Sequence, residues 1–165
     1  MTVDYENYMA LYGDDSMPET VFNRLSWYAE NELRNATTTV DGVCKLTECH
    51  PEEEYDAEAV KRCFCSVMTD LYRIEEAEKS AMNAAQFEQT QNGTRGKIIS
   101  SVSSGSESIS YTVAKDTTTY GKAAESRETK RALIQNTISS ALSGIKDRNG
   151  VSMLYAGRYP WRARI

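Results

Sequence analysis

Histidine, tryptophan, proline and phenylalanine are among the scarce residues here: one, two, three and three among 165. Three prolines and nine glycines exclude a collagen-like or proline-rich chain. A single histidine, His50, leaves little for imidazole-based catalysis, and no H-E-x-x-H, G-x-S-x-G or glycine-rich phosphate loop occurs. No apolar run approaches the roughly 18–20 residues needed to span a bilayer, so no membrane association is expected. The opening MTVDYENYMALYGDD lacks the basic and apolar regions of a secretory leader. Without export, the four cysteines are expected to be free thiols rather than disulfides.

What is present is a globular composition, 40% hydrophobic and 26% charged. The length suits one domain with a modest core. Tyrosine outnumbers phenylalanine ten to three, a bias toward side chains with an apolar body and a polar tip, which suits interfaces. Charge is uneven. Residues 146–165 hold Lys146, Arg148, Arg158, Arg162 and Arg164 against Asp147, a net of +4, which leaves −9 on the rest of a chain whose total is −5. An acidic body with a basic end reads as a polar assembly element or a charged interaction tail. Most of such a body repels phosphate, which argues against general nucleic-acid binding.

Periodicity predicts a mainly α protein. Tyr5, Tyr8, Met9 and Tyr12 suggest a short helix over about 4–11, ended by Gly13. Ser16-Met17-Pro18-Glu19 has the form of a capping box, and Phe22, Leu25, Ala29 and Leu33 continue as a helix over about 17–35. Residues 36–54 read as a loop. The strongest signal is Val60, Phe64, Val67, Leu71 and Ile74, the core stripe of a long helix from about 56 to 86. Ile98-Ile99 and the alternating Ile109-Ser110-Tyr111-Thr112-Val113, with Gly105 between, suggest a β-hairpin over about 97–113. Ile134, Ile138, Leu142 and Ile145 mark the inner face of a last helix over about 120–143, stopped by Gly144. The expected architecture is therefore a small helical bundle, residues 1–145, with the hairpin inserted before the last long helix, and an extended basic and aromatic C-terminal tail, residues 146–165.

Residues with chemistry to offer are few. Cys44, Cys49, His50, Cys63 and Cys65 lie within 22 residues, but Cys63 and Cys65 stand about 200° apart on one helix and grip a single metal poorly. Cys63 reads as a small buried hydrophobe, and His50 as a surface histidine. Glu52-Glu53-Glu54 and Glu75-Glu76 read as solvated faces. No catalysis, metal or cofactor is expected. The tail, with Met153, Leu154, Tyr155, Arg158, Tyr159, Trp161 and Arg162, has the residue types of interface hot spots. Three readings stand for it: docking on a protein partner, folding back on its own domain, or binding single-stranded nucleic acid.

Several segments, taken in order, resemble the head-tail connector (adaptor) proteins of tailed bacteriophages. DYENYMALYG with MPETVFNRLSWYAENEL looks like their N-terminal helices, and AEAVKRCFCSVMTDLY looks like their central helix. SSVSSGSESISYT is similar to a serine-rich element of these proteins, and SMLYAGRYPWR resembles their ending. The resemblance implies a helical protomer that assembles into a homo-oligomeric ring, a dodecamer, beneath the portal protein, in the neck of the virion, after synthesis in the bacterial cytoplasm. The ring extends the DNA channel, with genomic DNA only as passing cargo, and receives a stopper or tail-completion protein below. On this reading the tail docks on the portal, and the hairpin residues Ile99, Val102, Gly105, Ile109 and Tyr111 contact a neighbouring subunit or neck protein. The Cys44, Cys49 and His50 loop departs from the family pattern. The alternative is a DNA-binding regulatory protein that uses the basic tail.

Overall fold

In the computed structural model the described residues are 3–13, 16–89, 97–103, 108–113 and 118–160, with side chains described outside 83–117. The chain is mainly helical, in the order α1 (Tyr5–Tyr12), α2 (Glu19–Thr37), α3 (Lys45–Glu48), α4 (Glu54–Gln89), β1 (Lys97–Ser103), β2 (Ser108–Val113), α5 (Thr119–Glu125) and α6 (Arg127–Ala141). Two compact units divide it: Met1–Tyr72 with Arg131–Ile165, and Arg73–Lys130.

Among the described residues the first unit holds the larger core. α1 starts at Asp4, whose carboxylate accepts from the amide of Asn7 at 2.8 Å, a standard way to satisfy an orphan donor at a helix start. Its tyrosines then pack it. Tyr5 and Tyr8 each lie 5.5 Å from the ring of Phe22 on α2. The hydroxyls of Tyr8 and Tyr12 reach Thr69 at 3.0 Å and Ser66 at 2.8 Å on α4. The tyrosine bias is thus partly a packing device: each ring fills apolar space while its hydroxyl finds a partner.

α2 buries Phe22, Leu25, Ala29 and Leu33, the stripe read from the sequence. The capping box does not form. Ser16 donates its hydroxyl to the carbonyl of Gly13 at 2.8 Å, and Pro18 is the N-cap. Capping from Ser16 would require Met17 to be helical, and the ring of a following proline disfavours that. On α4, Val60, Cys63, Phe64, Val67 and Leu71 are buried, with Cys65 and Met68 broadening the stripe. α6 supplies Ile134 and Ile138, and Thr137 donates to the Asp70 carboxylate at 2.6 Å.

The second unit contains the later part of α4, the two strands, α5 and the first turn of α6. Arg73 places its guanidinium 5.3 Å from the centre of the Tyr120 ring and donates to its hydroxyl at 3.3 Å. Lys130 pairs with Glu78 at 3.3 Å. β1 and β2 form a two-stranded antiparallel ladder, with Ile99 opposite Tyr111, Val102 opposite Ile109, and an irregularity between Ile99 and Ser101. These are the only strands among the described residues, and Gly105 lies outside them.

The continuous last helix expected over 120–143 is two helices. Ser126 has extended backbone and accepts the amide of Thr129 at 3.1 Å, so it caps α6 while ending α5. A serine side chain that bonds its own local backbone competes with helix continuation.

Candidate functional site

The expected loop 36–54 and the expected tail meet in one cluster. Gly42, with φ +82°, turns the chain so that Thr38 bridges Cys44, and Gly150, with φ +76°, does the same so that Lys146 bridges Ser152. The two turns are stitched together: Val40 donates its amide to the Ala156 carbonyl at 3.1 Å, and Arg148 to the Cys49 carbonyl at 3.3 Å. Lys146 donates its amide to Asp56 at the start of α4 at 3.0 Å.

Buried polar groups lie at the centre. One Asp147 oxygen accepts the amides of Asn149 and Val151, both at 2.9 Å, and the other accepts the hydroxyl of Tyr159. Asn149 donates to the same tyrosine oxygen at 3.1 Å. The backbone amide of Tyr159 donates to Asp41, which is itself held by the hydroxyl of Thr39 at 2.6 Å. The Tyr159 ring packs with Val43, Cys49 and Val151. Burial, reinforced by the acceptor Asp147, pushes the Tyr159 phenol well above the ordinary tyrosine range. Lys45, fully buried, donates to the carbonyl of Tyr155 and lies 5.9 Å from the centre of its ring. Burial pulls the Lys45 ammonium below its ordinary value, against the opposing pull of Asp147.

This arrangement corrects the expectation of an extended tail. Met153 and Tyr159 are fully buried, and residues 146–160 are a clasp folded onto the first unit. The physical reason is that Asp41 and the backbone groups of residues 38–50 offer partners that water would otherwise supply. Of the other tail residues, Tyr155 is 42% exposed, Arg158 is exposed and Leu154 is half-buried, while Trp161 and Arg162 lie outside the described residues. For the hairpin residues only backbone placement is described.

The cysteine region also differs from expectation. Cys49, read as a loop residue, is fully buried beside Tyr159. His50 is half-buried: Nδ1 lies 2.9 Å from the Pro51 carbonyl, and Nε2 is buried without a hydrogen-bond partner. Cys44 is partly exposed. Its burial alone raises the thiol, but hydrogen bonds from Thr47, Thr38 and the amides of Thr47 and Leu46 outweigh this and hold it below its ordinary value. Cys63 and Cys65 are buried in the α4 stripe, which pushes them up to about 12 and about 11. Among the described residues no three histidines, cysteines or carboxylates come together as a metal site.

The structure also presents surfaces that the sequence reading passed over. Trp27 and Tyr28 on α2 are 63% and 50% exposed, with rings 5.0 Å apart and nearly perpendicular. Tyr55, in the first turn of α4, is 79% exposed, behind Glu52, Glu53 and Glu54, which are exposed as well. The signal was available: Trp27 stands about 200° from Leu25 around the helix. Comparison with protein-family models, curated proteins and solved structures finds no match for this chain.

Proposed function

We propose that this chain is a structural subunit of a tailed-phage virion, a head-tail connector that assembles as a ring between portal and tail. The reading is carried by the ordered resemblance of its segments, from DYENYMALYG through AEAVKRCFCSVMTDLY and SSVSSGSESISYT to SMLYAGRYPWR. It is supported by large aromatic side chains left on the surface, at Trp27, Tyr28, Tyr55 and Tyr155. Exposed aromatics of this size mark association surfaces more often than catalytic ones. On this reading the paired strands 97–103 and 108–113 are an assembly element toward a neighbour or the next neck protein, because a two-stranded ladder is marginal alone in water. The portal-facing surface of the C-terminal segment is then Leu154, Tyr155 and Arg158, while Met153 and Tyr159 anchor it from within. The protein works by docking, without catalysis or cofactor.

The test is reconstitution with the portal protein of the same genome. Purified portal rings mixed with the chain should carry an added ring at one end in electron micrographs, and Tyr155→Ala with Arg158→Glu should reduce its occupancy at least tenfold. Portal rings that remain bare at saturating chain would refute the proposal.

A further inference from the structure

The outward face of α2 is an unusual piece of this molecule's surface. Its inward stripe is spent on Phe22, Leu25, Ala29 and Leu33, and the opposite face shows Arg24, Trp27, Tyr28 and Arg34, all exposed. Among the described residues the two rings stay largely exposed, and they pack edge to face on each other. The start of α4 has the opposite character. Glu52, Glu53, Glu54, Asp56 and Glu58 are five acids within seven residues, with the exposed ring of Tyr55 among them. Lys61 and Arg62 are turned onto Glu58, at 3.9 and 3.3 Å, and do not cancel the three glutamates before Tyr55.

We infer that the α2 face of one copy docks on the acidic first turn of α4 in a second copy, with Trp27 and Tyr28 against Tyr55 and Arg24 and Arg34 against Glu52–Glu54. This rests on the reading of the chain as an assembling subunit and names the surface it uses. Charge selects the partner. Outside residues 146–165 the chain carries −9, so most approaches of two copies bring like charges together. A contact between copies is favoured where an arginine-flanked aromatic patch meets an acid-flanked one, since guanidinium attracts both carboxylates and ring faces. The Arg34 pair with Glu30, 3.7 Å and half exposed, is the kind of surface ion pair that exchanges partners at little cost. The two patches differ, so the contact is heterologous and repeats from copy to copy, closing into a ring or extending as a chain. The exposed parts of the three rings supply roughly 400 Å², less than a stable pair needs. Each junction is therefore weak alone and strengthened by closure.

Sedimentation equilibrium of the full chain under reducing conditions, between about 10 µM and 1 mM, tests this in the range where weak contacts are populated. The mean mass should rise above the 18.5 kDa of one chain. Trp27→Ala with Tyr28→Ala should associate at least tenfold more weakly with an unchanged melting temperature. Arg24→Glu with Arg34→Glu should do the same, and mixing that variant with Glu52→Lys, Glu53→Lys, Glu54→Lys should restore association. A mass of 18.5 kDa throughout for the parent, or aromatic variants that associate like the parent, overturns the inference. Portal binding separates the two ideas. A parent that joins portal rings while the aromatic variant assembles normally sinks this surface and leaves the connector. A parent that self-associates through Trp27 but never joins portal rings does the reverse.

Discussion

At the scale of single residues the decisive group is Asp147, only 5% exposed, which a tail drawn in solvent would leave in water. A buried carboxylate is tolerated only when its oxygens are hydrogen-bonded, and Tyr159 supplies one of those bonds. Tyr159→Phe keeps the ring in its pocket and removes the donor. The expected loss is about 1–3 kcal/mol in urea denaturation, the cost of a buried acceptor left short of a partner. Cys63 and Cys65 make a pH prediction. Their thiols are held at about 12 and about 11 in the folded chain, above their ordinary value of 9.0. Between pH 9 and those values the unfolded chain gives up protons that the folded chain keeps. The stability they contribute is therefore fully present below pH 9 and lost as pH rises, by at most about 1.4 kcal/mol per pH unit for each thiol. Lys45 acts in the opposite direction and Tyr159 in the same one, so the measurement is a comparison: Cys63→Ala with Cys65→Ala should flatten the decline between pH 8 and 10 relative to the parent, in reductant. Cys63 was legible as a core thiol from its place in the stripe. Cys49 was not, because it is buried against Tyr159, about a hundred residues away in sequence.

At the scale of elements, what could be read depended on whether the cause was local. The α4 stripe and the four inward residues of α2 repeat every three or four positions and stand where the pattern put them. Helix ends depended on finer competition. Pro18 overruled the Ser16 capping box through its neighbour's backbone, and Ser126 began a new helix inside what hydrophobic spacing read as one. The clasp is the clearest case of a non-local cause. Residues 146–160 hold no helix, but a non-helical segment is extended or folded back according to its partners, and Asp41, Lys45 and Cys49 lie far upstream. Removing Val151–Ile165 should therefore destabilise the bundle. Met153 and Tyr159 alone are fully buried large side chains, each costing about 2–5 kcal/mol when lost. Even 3 kcal/mol corresponds to a fall of about 6–12 °C in melting temperature for a chain of this size. A near-normal melting temperature for the truncated protein, measured by differential scanning calorimetry, would show that the clasp is not integral to the fold. The proposed portal docking is accordingly better probed by exposed substitutions at Tyr155 and Arg158 than by truncation.

At the scale of the whole molecule, charge decides between assembly and DNA binding. The basic segment looked detachable in the sequence, and a detachable arm with five cations could track phosphates. Folding back changes what it offers. Lys146, Arg148 and Arg158 remain exposed, but the backbone of this segment is fixed by the bonds from Lys146 to Asp56, Arg148 to Cys49 and Val40 to Ala156. They sit on a unit that also carries Asp41, Glu52, Glu53, Glu54 and Glu58. Non-specific affinity for duplex DNA comes from cations that displace condensed counterions, and the slope of log affinity against log salt is about −0.9 for each phosphate neutralised. Three fixed cations, with Arg162 and Arg164 counted in full, limit that slope to about −4.5. The net charge of −5 opposes approach at every distance shorter than the screening length. The purified chain should therefore bind a duplex no tighter than about 100 µM at physiological salt. Fluorescence anisotropy of a labelled duplex across a salt series measures both quantities. Micromolar binding with a steeper slope would require more contacting cations than residues 146–165 can supply, and would favour a DNA-binding regulator over a connector. Weak binding with a shallow slope is what a channel subunit needs, because DNA that passes through a ring must not stay bound to its wall.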